Sequence, residues 1–275
     1  MNRREALNWA RRALFAQLNE DASLEGEILL KHVLKIDRTA LFSSPDEDMT
    51  QAQLNELDKL IARRLEGEPS AYITGHKEFY GLDFVVDKRV LIPRPETEIL
   101  VENAVSLTRS YKFTYIADIG TGCGCIAVSL SVKLIGACVY AVDVSRDAIT
   151  VAKQNAARHG VKWINFLYGD LLQPLHEPVD IIVANLPYVK KSDLPVNGFE
   201  PVTALDGGED GLDIIRKLIR QAPAKLNPYG CLLLEIGLGQ AEAVELLLQK
   251  EYPSAKIQLF PDLAGIPRAA VMRLT

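Results

Sequence analysis

An α/β fold, built on a mostly parallel seven-stranded sheet and preceded by a small helical bundle, is predicted by three features of the sequence. From about residue 115 onward, short Val/Ile/Leu runs alternate with amphipathic stretches of ten to fifteen residues. Before about residue 66 no strand-like alternation occurs. The runs in the second region are apolar on both faces, as strands covered by helices on each side must be. With 275 residues, 48% hydrophobic and 24% charged, the chain has the composition of a globular protein. Its net charge of −5 leaves no broad basic surface for a nucleic-acid duplex or an anionic membrane.

The helical region comes first. Apolar stripes run through Ala6–Leu18 and Leu24–Leu34, and a third helix starts at the Thr50/Gln53 capping box. Leu54, Leu57, Ile61 and Leu65 carry that helix to Gly67. Residues 1–70 are therefore read as an N-terminal domain, and residues 71–95 as a hairpin connector marked by Gly75, Gly81 and the stiff Ile-Pro-Arg-Pro segment. Residues 96–275 form the larger domain, which opens with a helix carrying Leu100, Val101, Ala104 and Val105. Strands are predicted at 115–119, 138–142, 164–168, 179–184, 230–236, 256–260 and 269–274, with helices between them.

The N-terminal stretch MNRREALNWARRALFAQL mixes charge among its apolar residues, unlike an export signal, and no apolar run approaches the roughly 20 residues of a membrane span. A cytoplasmic, monomeric protein without membrane association is expected. The four cysteines form neither a disulfide framework nor a zinc spacing and are read as reduced. The four histidines have no metal spacing, so no metal is expected.

Parallel sheets bind ligands beyond the carboxyl ends of their strands, so the loops there carry the chemistry. The first strand ends in DIGTGCGCIA, residues 118–127. Gly120, Gly122 and Gly124 permit a tight turn and close approach of a ligand, and Thr121 lies among them. The G-x-G-x-G spacing differs from that of dinucleotide and phosphate loops, and Asp118 places a carboxylate where a phosphate would be repelled. An amine-bearing, cationic ligand such as S-adenosylmethionine fits this better. Asp143, 19 residues after Gly124, can accept both ribose hydroxyls, because Ser145 is the better cap for the following helix and leaves Asp143 free. Asp170, followed by Leu171, can receive the adenine amino group at the third strand end. The fourth strand ends in Asn185, Leu186, Pro187 and Tyr188: an amide that both donates and accepts, a stiff turn, and a flat ring.

These residues resemble the motif of methyltransferases that modify amino groups on planar systems, and the chain as a whole is similar to the release factor glutamine N(5)-methyltransferase family. The likeness rests on YITGHKEFYGLDF (72–84), VLIPRPETE (90–98), DIGTGCGCIA, NLPY, EPVTALDGGEDGLD (200–213), LLLEIGLGQ (232–240) and DLAGIPR (262–268). It implies a Rossmann-like class I methyltransferase domain and S-adenosyl-L-methionine as cofactor, leaving S-adenosyl-L-homocysteine. The implied substrates are class 1 peptide chain release factors, docked by the helical domain, with no direct contact to nucleic acid. Asn185 and the carbonyl of Leu186 would accept the two amide hydrogens of a glutamine and Tyr188 would pack on its plane, while Asn185 also borders the cofactor. Phe79 and Tyr80 would wall the acceptor site, and Glu200 would touch substrate.

The family has Pro where this chain has Leu186. NLPY is similar instead to the motif of ribosomal RNA adenine dimethyltransferases, so an adenine amino group in nucleic acid, or a ribosomal protein glutamine, stands as an alternative acceptor. The DGGED stretch at 206–210 lacks a calcium-loop pattern and reads as a turn.

Overall fold

The protein is described from a computed structural model covering residues 1–196 and 198–275. It divides into two compact units, residues 1–76 and 77–275.

The first unit is helical. Helix α1 spans Arg3–Leu18, α2 Ala22–Leu34, α3 Arg38–Ser43, α4 Gln51–Leu65 and α5 Ser70–Thr74. Two reciprocal capping boxes start α1 and α4: Asn2 with Glu5, and Thr50 with Gln53. Each satisfies two backbone N–H groups that the first turn leaves without partners. Ala6, Ala10, Leu14, Leu29, Leu30, Leu57 and Ile61 make the core. Gly26 lets α2 approach α1 closely, since a Cβ there would sit 3.3 Å from the Ala10 Cβ. Buried Glu27 is paired with Lys31 at 3.2 Å and Arg38 at 3.1 Å, as a buried carboxylate requires.

Beside the unit boundary, β1 (His76–Phe79) and β2 (Leu82–Val85) form a two-stranded sheet. Their turn is Tyr80-Gly81, with φ of 51° and 72°, the positive pair that a tight two-residue hairpin demands.

In the second unit a 3-10 turn at Pro95–Thr97 leads into α6 (Glu98–Tyr111). There follow β3 (Tyr115–Ile119), α7 (Cys125–Lys133), β4 (Cys138–Asp143), α8 (Arg146–Arg158), β5 (Ile164–Tyr168), β6 (Val179–Ala184), α9 (Asp213–Gln221), β7 (Leu226–Glu235), α10 (Ala241–Glu251), β8 (Lys256–Pro261) and β9 (Pro267–Arg273). The sheet order is β5-β4-β3-β6-β7-β9-β8. Strands β3 to β7 pair in parallel, and β9 runs antiparallel to both β7 and β8. This is the predicted fold, a Rossmann-like sheet of seven strands covered by helices. Only β7 departs noticeably, beginning four residues before its predicted start, with a register shift opposite Val179–Ile181.

Chain order reverses at β3: the chain moves outward to β4 and β5, then returns to lay β6 on the other side. A crevice opens beyond the carboxyl ends of β3 and β6 at such a point. Ile116, Ala117, Val139, Ala141, Ile181, Ile182, Leu232 and Leu233 are fully buried and fix these strands, so the loops leaving them start from a rigid edge.

Candidate active site

The crevice holds a cavity of about 310 Å³. It gathers Gly120, Thr121 and Gly122 from the loop after β3, and Asp143 from the end of β4. Asp170 and Leu171 come from the loop after β5, and Asn185, Leu186 and Pro187 from the loop after β6. Val90, Leu91 and Pro93 of the connector close one wall.

The glycine loop is built locally. Gly120 and Thr121 both donate backbone N–H groups to the Val142 carbonyl, at 2.9 and 3.0 Å. Gly120 has φ of 75°, and a Cβ there would sit 3.1 Å from the Leu186 side chain, so the loops after β3 and β6 touch where no side chain can intervene. Gly124 (φ 83°) starts α7 against Ala152, beneath the lining rather than on it.

Asp118 also lies under the loop, fully buried. Its Oδ2 accepts from the Thr121 hydroxyl at 2.6 Å and from Ala127 N at 3.1 Å, while Oδ1 has no hydrogen-bond partner. Burial raises its carboxyl from 3.8 to about 7.

Asp143 does more than the sequence suggests. Ser145 does cap α8, accepting from Ala148 N at 3.2 Å, but Asp143 is not left free. Its Oδ2 accepts from Gly122 N and its Oδ1 from Ser145 N, both at 2.8 Å. Its two oxygens offer four lone-pair sites, so the residue ties the glycine loop to β4 and still has acceptor capacity for a ligand. Asp170 is on the cavity wall and pairs with Lys217 of α9.

The loop after β6 is held by distant residues, and Tyr188, unlike Asn185, Leu186 and Pro187, is not among the residues on the cavity wall. Asn185 Nδ2 donates to the Thr97 hydroxyl at 3.0 Å, Thr97 donates to Glu235 Oε2 at 2.6 Å, and the Tyr188 hydroxyl donates to Glu235 Oε1 at 3.2 Å. Thr97 and Glu235 are 1% and 3% exposed. Burial pushes the Glu235 carboxyl from 4.5 up to about 7, and burial beside that carboxylate pushes the Tyr188 phenol up. Neither Thr97 nor Glu235 stands out as a functional residue in the sequence, although they lie within VLIPRPETE and LLLEIGLGQ.

The DGGED turn proves to be the backing of this loop. Val189 N donates to Leu205 O, and Gly207 N to Val189 O. A Cβ on Gly207 would lie 2.8 Å from the Pro187 carbonyl, and one on Gly211 (φ 79°) 2.4 Å from that of Tyr188. Gln240 completes the support by donating to the Tyr188 carbonyl at 3.0 Å.

Phe79, Tyr80 and Glu200 are placed otherwise than expected, Tyr80 in the hairpin turn and off the cavity wall. Phe79 is 2% exposed, packs on Phe84 and Tyr80, and is absent from the cavity wall, so its surface is spent on the connector. Glu200 accepts from Ile92 N at 3.0 Å and from Arg94 at 2.6 Å, which engages both oxygens in pinning the connector. Among the described residues no cluster of His, Cys, Asp or Glu could hold a metal, and no helix is long and apolar enough to cross a membrane.

A glycine loop and an asparagine-headed loop, facing one cavity across the switch point of a Rossmann-like sheet, define a class I methyltransferase. Residues 95–199 match the methyltransferase small domain, and residues 5–75 match the PrmC N-terminal domain. The chain is 38% identical to the release factor glutamine methyltransferase of Bacillus cereus, over 96% of each chain. It is 44% identical to that of Geobacter sulfurreducens, over 88% of this chain and 86% of the relative. It belongs to the release factor glutamine methyltransferase family and is an enzyme of that family. The solved structure of a methyltransferase from Pyrococcus furiosus shares the fold at a TM-score of 0.54 and 17% identity, with 77% of this chain and 96% of that one covered.

Proposed function

We propose that this enzyme transfers a methyl group from S-adenosyl-L-methionine to the side-chain amide nitrogen of the glutamine in the Gly-Gly-Gln motif of class 1 peptide chain release factors. The observation that carries this reading is that Asn185 and the glycine loop line the same cavity.

The residues present suit the cofactor. Asp118 Oδ1 is a buried acceptor without a partner beneath the loop, which favours positive charge nearby. Asp143 retains acceptor capacity for ribose hydroxyls. Ile119, Ile126, Val142 and Leu171 give the cavity an apolar floor for an adenine ring, with Asp170 at its edge. Bound there, S-adenosylmethionine supplies an electrophilic methyl group on a sulfonium centre.

A primary amide nitrogen is a poor nucleophile because its lone pair is delocalised, and no side chain at neutral pH deprotonates it. Positioning must therefore supply most of the rate, and alignment can contribute roughly 7 to 11 kcal/mol in favourable intramolecular cases. Asn185 Oδ1 and the Leu186 carbonyl accept the two N–H groups, and Tyr188 packs against the amide plane. These acceptors also stabilise positive charge arriving on the nitrogen, as an oxyanion hole stabilises negative charge.

The helical unit, residues 1–70 in this reading, docks the protein substrate. Removing it leaves cofactor binding in place and impairs transfer to an intact release factor. The test of the acceptor is incubation of the enzyme with labelled S-adenosylmethionine and such a factor. One methyl on the Gly-Gly-Gln glutamine is expected, and replacing that glutamine with Glu removes the label. Label on RNA adenine, or on a ribosomal protein glutamine with the release factor untouched, refutes it.

A further inference from the structure

We propose that Thr97 and Glu235 fix which way round the Asn185 carboxamide lies, and thereby make the slot accept an N–H donor such as a primary amide and reject a carboxylate. The proposal rests on the reading of Asn185 as the group that accepts the substrate amide.

Glu235 makes no ion pair among the described residues and is held by two hydroxyls, Thr97 at 2.6 Å and Tyr188 at 3.2 Å. An ionised carboxylate can only accept, so both hydroxyl protons point toward it. Thr97 has a single hydroxyl proton, and Glu235 takes it. What Thr97 then offers to Asn185, 3.0 Å away, is a lone pair, and only the NH₂ end of the Asn185 carboxamide can bond to that. Oδ1 is thereby turned the other way, on a residue that lines the cavity, and among the described residues it has no protein partner.

Both ends of a carboxamide have nearly the same shape, so packing alone does not choose between them. If Thr97 were free to donate, the ring of bonds could close equally well with Oδ1 toward Thr97 and NH₂ toward the cavity. That flipped slot would offer donors, and a glutamate side chain would fit it better than glutamine. Thr97 borders the cavity and Glu235 lies behind it, but in this scheme neither bonds to substrate or cofactor; they are positioning residues.

The cost of a buried carboxylate without a cation is considerable, and its retention here makes sense if its charge state matters. Besides Thr97 and Tyr188, the charged groups facing Glu235 are Glu96 from the turn before α6 and Arg268 on β9, which act in opposite directions. Protonation of Glu235 allows it to donate to Thr97 and releases the Thr97 proton toward Asn185. Turnover should thus fall as the pH drops through about 7.

The experiment uses the full chain, with a release factor and its Gln→Glu form as substrate and competitor. Thr97→Val keeps the shape and removes the hydroxyl. We expect kcat to fall about tenfold or more, cofactor affinity to stay within about twofold, and the Glu-form competitor to bind several-fold tighter than it binds wild type. Thr97→Ser recovers most of the lost turnover. Glu235→Gln, which cannot ionise whichever way its carboxamide lies, removes the acid limb of the pH profile. A merely structural role would neither invert the Gln/Glu preference nor abolish that limb. Unchanged kcat and competitor affinity in Thr97→Val overturn the proposal, as does an acid limb of kcat, measured at saturating S-adenosylmethionine so that Asp118 beneath the cofactor loop does not contribute through binding, that survives in Glu235→Gln. The Asn185→Ala variant tests the underlying reading separately: full activity there defeats the amide slot itself, whatever Thr97 does.

Discussion

The loops after β3 and β6 meet at the Gly120–Leu186 contact, yet they are held in place by opposite means. Backbone geometry from nearby sequence shapes the first loop. Its glycines take positive φ, its amides bond to Val142, and its anchors Asp118 and Asp143 sit at the ends of adjacent strands. Side chains from far away hold the second. Thr97 precedes Asn185 by 88 residues, and Glu235 follows Tyr188 by 47. Gly207, Gly211 and Gln240 back the loop from two further segments. A ligand common to many enzymes can be met by a local loop, whereas a particular acceptor needs its few polar contacts aimed, and aiming takes support from several directions.

The largest effect should come from breaking the second loop at its head. On the proposed reading Asn185→Ala removes one of two acceptors for the substrate nitrogen, and a loss of roughly 100- to 1,000-fold in turnover is expected, the range for deleting one oriented polar group at a reacting centre. Calorimetry should show cofactor binding largely preserved, because the loop after β3 is untouched. Comparable losses in binding and turnover would show that the two loops are not separable.

Gly211→Ala attacks the same loop from behind. The added Cβ meets the Tyr188 carbonyl at 2.4 Å on a backbone at φ 79°, so a stability cost of about 1 to 3 kcal/mol is expected, with turnover falling more than cofactor affinity. Thermal unfolding and steady-state kinetics on the same variant measure both.

Asp143→Ala tests the first loop, and an affinity loss of about 1 to 3 kcal/mol for S-adenosylmethionine is expected from the missing charged acceptor. The bond to Gly122 N is lost as well, so the glycine loop should show faster amide hydrogen exchange in the free enzyme. Normal affinity in a folded variant would remove Asp143 from the cofactor site.

These unlike constructions explain what could be read in advance. Strands such as Val179–Ala184 announce themselves because burial on both faces leaves them no polar positions, and the glycine loop because its conformation needs glycine at fixed spacing. Asn185 is legible from its position at a strand end. Thr97 and Glu235 are not, because the role proposed for them lies in a proton ordering across three segments, and pairing over 138 residues leaves no local pattern. Asp143 shows a subtler gap: its type and place suggested a free carboxylate, while the two backbone amides that occupy it become visible only when the chain folds. Gly207 and Gly211 read as turn glycines, although the reason for them is the backbone of Pro187 and Tyr188 pressed against them.

The smallest effect compares the two regions by their buried carboxyls, Asp118 under the first loop and Glu235 under the second. Burial raises both to about 7, from ordinary values of 3.8 and 4.5. Between those limits the native chain holds protons that the unfolded chain has released, so stability falls as the pH rises through this window and grows as the pH is lowered from about 7 toward 4.5. Carboxyls held low by arginine partners, such as Asp87, Asp210 and Asp262, act oppositely but only below 3.8, outside the window; within it His32, lowered from 6.5 by burial in the helical unit, opposes the trend, and Asp143, raised by burial, adds to it. The melting temperature without cofactor should accordingly be higher at pH 5.5 than at pH 7.5. Asp118→Asn and Glu235→Gln should each remove part of that slope, and the double variant more than either. Because the two groups belong to separately built loops, their effects should add. A slope abolished entirely by one substitution would mean that the loops titrate as one unit, and that the contact between Gly120 and Leu186 couples them more tightly than their separate anchors imply.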